Sequence, residues 1–320
     1  MAAKSGWYNR PMAQIADVAG DQGASNLIES ELTAYLHVEQ SRRRLFPRAA
    51  LVGLAAGAIA IAFRGALGVA DGARRGLVVW AQQWPSFGWL IPVLVCAALA
   101  AASVWLVRVV APEASGSGIP HLEGVLRRLR QMRWRRVLPV KFIGGLLALG
   151  SGMALGREGP TVQMGGATGF ALAGALKMTT QERLIMMSAG AGAGLAAAFN
   201  APLSGVIFVL EEMQRDFRAG VFGSAFIAAA VANLLARFAS GQQPVFAVPT
   251  YAAPDPASMP LFIGLGVACG LLGILFNRAL IGALDGFARL SFRKVLLATA
   301  MVGGVAGLAA WIAPNAVGGG

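Results

Sequence analysis

The chain has 320 residues, of which 56% are hydrophobic and 13% charged, with 42 glycines and a mean hydropathy of +0.62. A soluble chain of this length carries about a quarter charged residues, so the composition excludes an ordinary soluble domain and favours apolar helices packed through small residues. The net charge of +12 does not mark a nucleic-acid binder. The basic residues cluster at Arg42–Arg44 with Arg48, and at Arg127, Arg128, Arg130, Arg133, Arg135 and Arg136, between apolar stretches. That is the positive-inside pattern, and it places both clusters on the cytoplasmic side.

In chain order, residues 1–48 read as a cytoplasmic segment. Within it, 24–45 is predicted to be an amphipathic surface helix capped by Ser25 or Asn26, with Ile28, Leu32, Tyr35 and Leu36 at helical spacing. No apolar leader opens this segment, so no cleavable signal peptide is expected. Apolar spans follow at 49–71, 87–111 and 137–155, each long enough to cross or nearly cross a hydrocarbon core of about 30 Å. The pieces at 118–130, 159–176, 181–198 and 202–214 are too short or too glycine-interrupted for full spans and read as re-entrant. A further span covers 220–239, and 241–258 is a proline-rich loop. Two more helices occupy 259–290 and 292–312. The fold class is therefore an all-α integral membrane protein, with broken helices of the kind transporters use.

The two cysteines, Cys96 and Cys269, sit among alanine, valine and leucine and read as small buried hydrophobes. His37 and His121 lie far from both, so neither a metal site nor a cofactor is expected. Gly190-x-Gly192-x-Gly194 lacks the strand and acidic residue of a nucleotide loop and reads as a helix-packing stripe.

An internal repeat is also legible. Gly53, Ala55, Gly57, Ile61, Phe63, Ala66 and Leu67 recur at one constant offset as Gly266, Ala268, Gly270, Ile274, Phe276, Ala279 and Leu280. Asp71-Gly72 and Arg74 answer to Asp285-Gly286 and Arg289 after a one-residue slip. Ala111-Pro112-x-Ala114-x-Gly116-x-Gly118 returns as Ala313-Pro314-x-Ala316-x-Gly318-x-Gly320. A second copy is expected to start near residue 260.

Three motifs carry the chemistry. Gly116-Ser117-Gly118-Ile119-Pro120 and Gly156-Arg157-Glu158-Gly159-Pro160 set a hydroxyl and a carboxylate at two glycine-flanked helix starts. Helix N-termini attract anions, and glycine lets backbone amides approach an ion closely. A serine at such a start also serves as a plain helix cap, and a first-turn glutamate stabilises a helix dipole. An intramembrane carboxylate is nonetheless a functional candidate. Arg157 either keeps the local potential positive or snorkels outward. The third motif, Phe199-Asn200-Ala201-Pro202 to Gly205, leads into Glu211 and Glu212, which taken alone are ordinary solvated residues at a helix end. Glu123 and Lys141 are expected to pair beneath the site.

These three motifs, in this order, resemble the CLC family of chloride channels and chloride/proton exchangers, from about residue 50 to the last residue. The resemblance implies an inverted-repeat fold with a complete first repeat at 49–240 and a second at 259–320 that is cut short. A second-half Gly-x-Phe-x-Pro motif is missing from the sequence. So is a late tyrosine facing the ion, because Tyr8, Tyr35 and Tyr251 all fall outside the expected membrane core. By the same resemblance, chloride is held by Ser117, Gly118, Ile119, Glu158 and Gly159, with Ile119 lending a backbone amide. Glu158 is the external gate, Glu212 the internal proton-transfer residue, and Glu211 lies on the water path beside it. Serine rather than proline at 117 resembles chloride-preferring members. The implied activity is proton-coupled chloride antiport, not enzymatic catalysis, by a homodimer in a bacterial inner membrane with its N-terminus in the cytoplasm. A passive chloride channel and a non-transporting membrane fragment are the alternatives.

Overall fold

The computed structural model describes residues 12–84, 86–215, 219–241, 251, 254–314 and 317–318, with side chains from Arg44 onward. Among the described residues every regular element is helical. These are α1 (Met12–Ala81), α2 (Leu90–Val110), α3 (Ile119–Leu126), α4 (Trp134–Gly150), α5 (Glu158–Ala175), α6 (Thr180–Phe199), α7 (Pro202–Phe208), α8 (Ala219–Ser240), α9 (Met259–Ala288) and α10 (Phe292–Ile312). A 3-10 turn at Pro112–Ala114 precedes α3. A π-helical turn at Val209–Gln214 prolongs α7, and a second 3-10 turn at Pro256–Ser258 leads into α9.

One expectation about the N-terminal part fails: no helix starts at Ser25 or Asn26. α1 runs unbroken from Met12 to Ala81 with Pro47 inside it. A proline inside a helix removes one backbone hydrogen bond. Packing maintains the helix through that point, since Leu45, Ala49 and Val52 are all buried against α6 and α8. The amphipathic side chains of the 24–45 stretch, Tyr8, most of the 241–258 loop and Gly320 lie outside the described residues.

Among the described residues five segments are long and apolar enough to cross a membrane: Arg44–Ala81, Leu90–Val110, Gly220–Ala239, Pro256–Ala288 and Phe292–Ile312. The re-entrant reading of the shorter pieces agrees with α3 and α7, of 8 and 7 residues. α6 opens with a capping box, in which the Thr179 hydroxyl accepts from the Glu182 amide and the Thr179 amide donates to the Glu182 carboxylate at 2.9 Å. It ends at Asn200, whose left-handed φ of +56° turns the chain toward Pro202. The Asn200 side-chain oxygen accepts from Arg237 Nε of α8 at 2.9 Å, fixing that turn.

The core is built from helices that touch backbone to backbone. α5 and α6 cross at Gly165 and Gly190, where a Cβ added to either would strike the carbonyl oxygen of the other. A Cβ at Gly169 would meet Met186, one at Gly194 would meet Thr161, and one at Gly192 would lie 2.7 Å from the Gly205 carbonyl. The packing role expected of the 190–194 glycines is thus observed. Gly190→Val places a branched side chain against backbone that cannot yield. It is expected to destabilise the fold by about 3 kcal/mol, the upper end for overpacking, read as a lowered unfolding midpoint in detergent. An unchanged midpoint would mean that the two helices can separate at no cost.

α10 packs on α2 by the same device, with Gly303 against Cys96 and Ala100, and Gly307 against Pro92. α9 behaves differently: all 30 of its residues are exposed, and among the described residues no other α-helix covers it. Cys96 is buried as expected. Cys269 is exposed, a correction that follows directly from the open position of α9. The repeat has a local structural echo. Ala111 after α2 (φ −147°, ψ 82°) and Ala313 after α10 (φ −138°, ψ 77°) share one backbone conformation. Gly116 and its counterpart Gly318 both take positive φ, at +64° and +123°.

Candidate functional site

Two chain breaks meet where α3 and α5 begin. The first is the turn from Ser115 to Gly118, between the 3-10 turn and α3. Gly116 and Gly118 both have positive φ (+64° and +88°), which only glycine adopts without strain. Ser117 between them is exposed, and its Oγ accepts a long bond of 3.4 Å from the Ile119 amide. Pro120, at the second position of α3, has no N–H to leave unpaired.

The second break runs from Ser151 to Arg157 between α4 and α5, with Gly152 and Gly156 at φ +88° and +70°. Glu158 is the first residue of α5 and half-buried. Its carboxylate folds back over Gly156, where an added Cβ would collide with Oε2. Thr161 secures the first turn by donating its hydroxyl to the Glu158 carbonyl at 2.8 Å. The breaks touch at Gly159. A Cβ there would sit 2.8 Å from the Ser117 carbonyl oxygen and 2.9 Å from its Cα. Ser117, Gly118, Ile119, Glu158 and Gly159 are therefore brought together, as a hydroxyl, a carboxylate and two helix starts.

Glu211 and Glu212 are placed apart from this cluster. Both lie on the π-helical turn and both are exposed. Single π turns inside helices gather at functional sites. Here the turn is anchored by Gln214, whose Nε2 donates to Ser188 Oγ of α6 at 2.7 Å. It is also anchored by Met213, buried with Leu122 and Val125 of α3.

The expected Glu123–Lys141 pair does not form. Lys141 is buried on α4 and donates its Nζ to the carbonyls of Ala114 (2.9 Å) and Gly116 (2.6 Å). Glu123 lies 3.8 Å from Arg127 on its own helix. The reason is local: the turn before Ser117 spends its amides on glycine geometry and leaves two carbonyls that only a buried donor can satisfy. Lys141 thus shapes the Ser117 break from behind. Sequence reading also missed Gln163. It is fully buried on α5, and its Nε2 donates to the Glu113 carbonyl at 2.9 Å, with His121 Nδ1 3.3 Å away. The available signal was its position, a lone amide one turn past Glu158 in an otherwise small and apolar helix.

Among the described residues no group of His, Cys, Asp or Glu is arranged to hold a metal ion. Five apolar helices of membrane length, together with two glycine-flanked broken helices that touch at Gly159, define a multi-pass helical membrane protein. The voltage gated chloride channel family model matches residues 96–320, and the chain belongs to that family. It is 45% identical over 238 residues to the H(+)/Cl(-) exchange transporter ClcA of Vibrio cholerae, covering 72% of this chain and 51% of that protein. It is 39% identical over 278 residues to ClcA of Citrobacter koseri, covering 85% and 59%. Among solved structures, a slow cyanobacterial Cl-/H+ antiporter matches with a TM-score of 0.81 at 36% identity, over 87% of this chain and 66% of that one. The match thus spans about half the length of the curated V. cholerae relative.

Proposed function

We propose that this chain forms the anion-binding and gating part of a proton-coupled chloride antiporter. The observation that carries the reading is the contact of Gly159 with Ser117, which brings the helix start bearing Glu158 against the break that holds the Ser117 hydroxyl. A hydroxyl and amides replace part of an anion's hydration shell without the full positive charge that would trap it. In this reading chloride lies between Ser117 Oγ, the Gly118–Ile119 backbone and the start of α5 at Glu158 and Gly159. The Glu158 carboxylate competes with chloride for that place, and protonation releases it. Proton and anion are thereby exchanged at one point. The activity for which the ClcA relatives and the cyanobacterial antiporter are named supports the same assignment.

Glu212 is the internal proton-transfer residue in this proposal, with Glu211 on the water path beside it. Both are exposed on the π turn, which supports proton access to them. The arginine clusters orient the N-terminus and the α3–α4 connection toward the cytoplasm of a bacterial inner membrane. A homodimer of full-length chains built from inverted repeats, with residues 49–240 as the first and the second starting at 259, completes the proposal.

The test uses proteoliposomes of a full-length protein containing this chain. Glu212→Gln is expected to cut proton movement by about 100-fold, the lower range for loss of a proton-transfer group, while chloride flux persists. An unchanged chloride-to-proton ratio would reduce Glu212 to a helix-end carboxylate.

A further inference from the structure

The anion reading leaves one buried titratable group beside the site without a role. His121, two residues into α3 from Ile119, is buried. Its Nε2 faces the Gln131 carbonyl at 3.4 Å, and its Nδ1 faces Gln163 Nε2 at 3.3 Å. Those partners fix the tautomer. The Gln131 carbonyl can only accept, so Nε2 carries the proton. The Gln163 NH₂ can only donate, so Nδ1 is the bare acceptor. Gln163 is itself fully buried and sends its other N–H to the Glu113 carbonyl at 2.9 Å. Its oxygen, Oε1, is buried without a partner. That oxygen lies against the Ser117 break: a Cβ added to Gly118 would collide with Gln163 Cδ and Oε1. The amide therefore has one end on the histidine and the other on the anion loop, and the end on the loop is a carbonyl oxygen, the wrong polarity for an anion.

We propose that His121 and Gln163 are positioning residues that set anion affinity at the Ser117 break, through reversal of the Gln163 amide when His121 takes up a proton. The inference rests on the chloride reading given above for its ligand. Protonation at Nδ1 turns the imidazole into a donor on both nitrogens. Two donors then face each other across 3.3 Å, at a site too buried for water to relieve them. Rotation of the amide by half a turn relieves the clash with the imidazole: Oε1 accepts a charge-assisted bond from Nδ1–H and gains the partner it lacks, while the NH₂ swings to the Gly118 side and gives up its bond to the Glu113 carbonyl, so the new bond must outweigh that loss. The anion loop loses a carbonyl dipole and gains an N–H, and a positive charge arrives one residue beyond Pro120. Each change favours an anion. The charged groups around the imidazole are Glu113 on the 3-10 turn, Arg130 beyond α3 and Lys141 on α4. Glu123 lies on α3 itself, Glu158 at the start of α5, and Glu211 and Glu212 on the π turn. Glu113 lies 3.6 Å from Arg133, which offsets its charge, and Lys141 is engaged with the Ala114 and Gly116 carbonyls. Two contacts orient the amide, the 2.9 Å bond to the Glu113 carbonyl and the 3.3 Å contact with the imidazole, and only the second reverses its polarity on protonation of His121.

The experiment is done in the Glu158→Gln background of the full-length protein in detergent, so that the gate carboxylate no longer titrates. Chloride affinity is measured calorimetrically at pH 5 and pH 8, and the Gln163 side-chain amide and the His121 ring are followed by nitrogen-15 NMR in chloride-free buffer. Chloride is expected to bind about fivefold or more tightly at pH 5, within the usual range of site-to-site coupling, and by reciprocity to raise the proton affinity of His121 by the same factor. His121→Asn, which keeps an acceptor for Gln163 but does not titrate, is expected to bind chloride equally at both pH values. Gln163→Met keeps the imidazole and removes the amide, and is expected to lose most of the pH dependence as well. Full pH dependence in Gln163→Met would show a direct charge effect and overturn the amide relay. A Gln163 amide signal that ignores His121 protonation would overturn it independently of any anion. A responsive amide with no chloride binding at either pH would uphold the relay and sink the chloride reading instead.

Discussion

Glu158→Gln in a full-length protein containing this chain is expected to abolish proton coupling and leave chloride flux. Glutamine keeps the size of the side chain and the first-turn geometry of α5, including the Thr161 bond to the residue 158 carbonyl. It removes the one group at the contact of the two breaks that both binds a proton and competes with an anion. A chloride gradient should then drive proton uptake at least about 100-fold more slowly, since transfer by a positioned group accounts for that much or more. Chloride efflux should continue because the amide is neutral, as the protonated gate would be. Dual recording of chloride with a silver electrode and of proton with a pH electrode on the same proteoliposomes separates the two fluxes. Chloride-driven proton pumping at the wild-type rate in Glu158→Gln would remove the gate assignment and, with it, the antiport reading.

Much of this site was legible in the sequence, and the limits of that legibility have physical causes. The breaks at Ser117 and Glu158 could be read because glycine and proline act on the backbone locally: positive φ at Gly116, Gly118 and Gly156 is a property of single residues. Boundaries of α2, α8 and α10 followed from apolar run length alone. Continuity of α1 through Pro47 could not be read, because the burial of Leu45, Ala49 and Val52 against two distant helices overrides a local breaker. The partner of Lys141 was missed for a related reason. Charge pattern suggested a carboxylate, whereas the fold presents two unsatisfied carbonyls at Ala114 and Gly116. Which backbone groups are left over is known only once the chain is folded. Gln163 and His121 escaped notice because neither lies in a motif; they matter through a three-dimensional meeting of α3, α5 and the 3-10 turn.

Residues 1–320 reconstituted alone are expected to give no chloride efflux above empty liposomes. Ser115, Gly116 and Ser117 are irregular backbone, and all three are exposed. At membrane depth such backbone is tolerated only where protein covers it or water lines it, because each unsatisfied group in hydrocarbon costs several kcal/mol. A few such groups reach the order of the net stability of a whole domain, about 5–15 kcal/mol. α9 points to the same outcome, since among the described residues its largely apolar 30-residue length is exposed throughout. An anion path needs walls on every side, and here the elements at Ser117 and Glu158 supply one. The segment is accordingly expected to aggregate or to require association with further helices before it transports. Size-exclusion chromatography in detergent, followed by chloride efflux from liposomes with and without Glu158→Gln, tests this directly. Efflux that is robust and sensitive to Glu158 would overturn the one-walled site and require that two copies of the chain close it together, each offering its Ser117 break to the other.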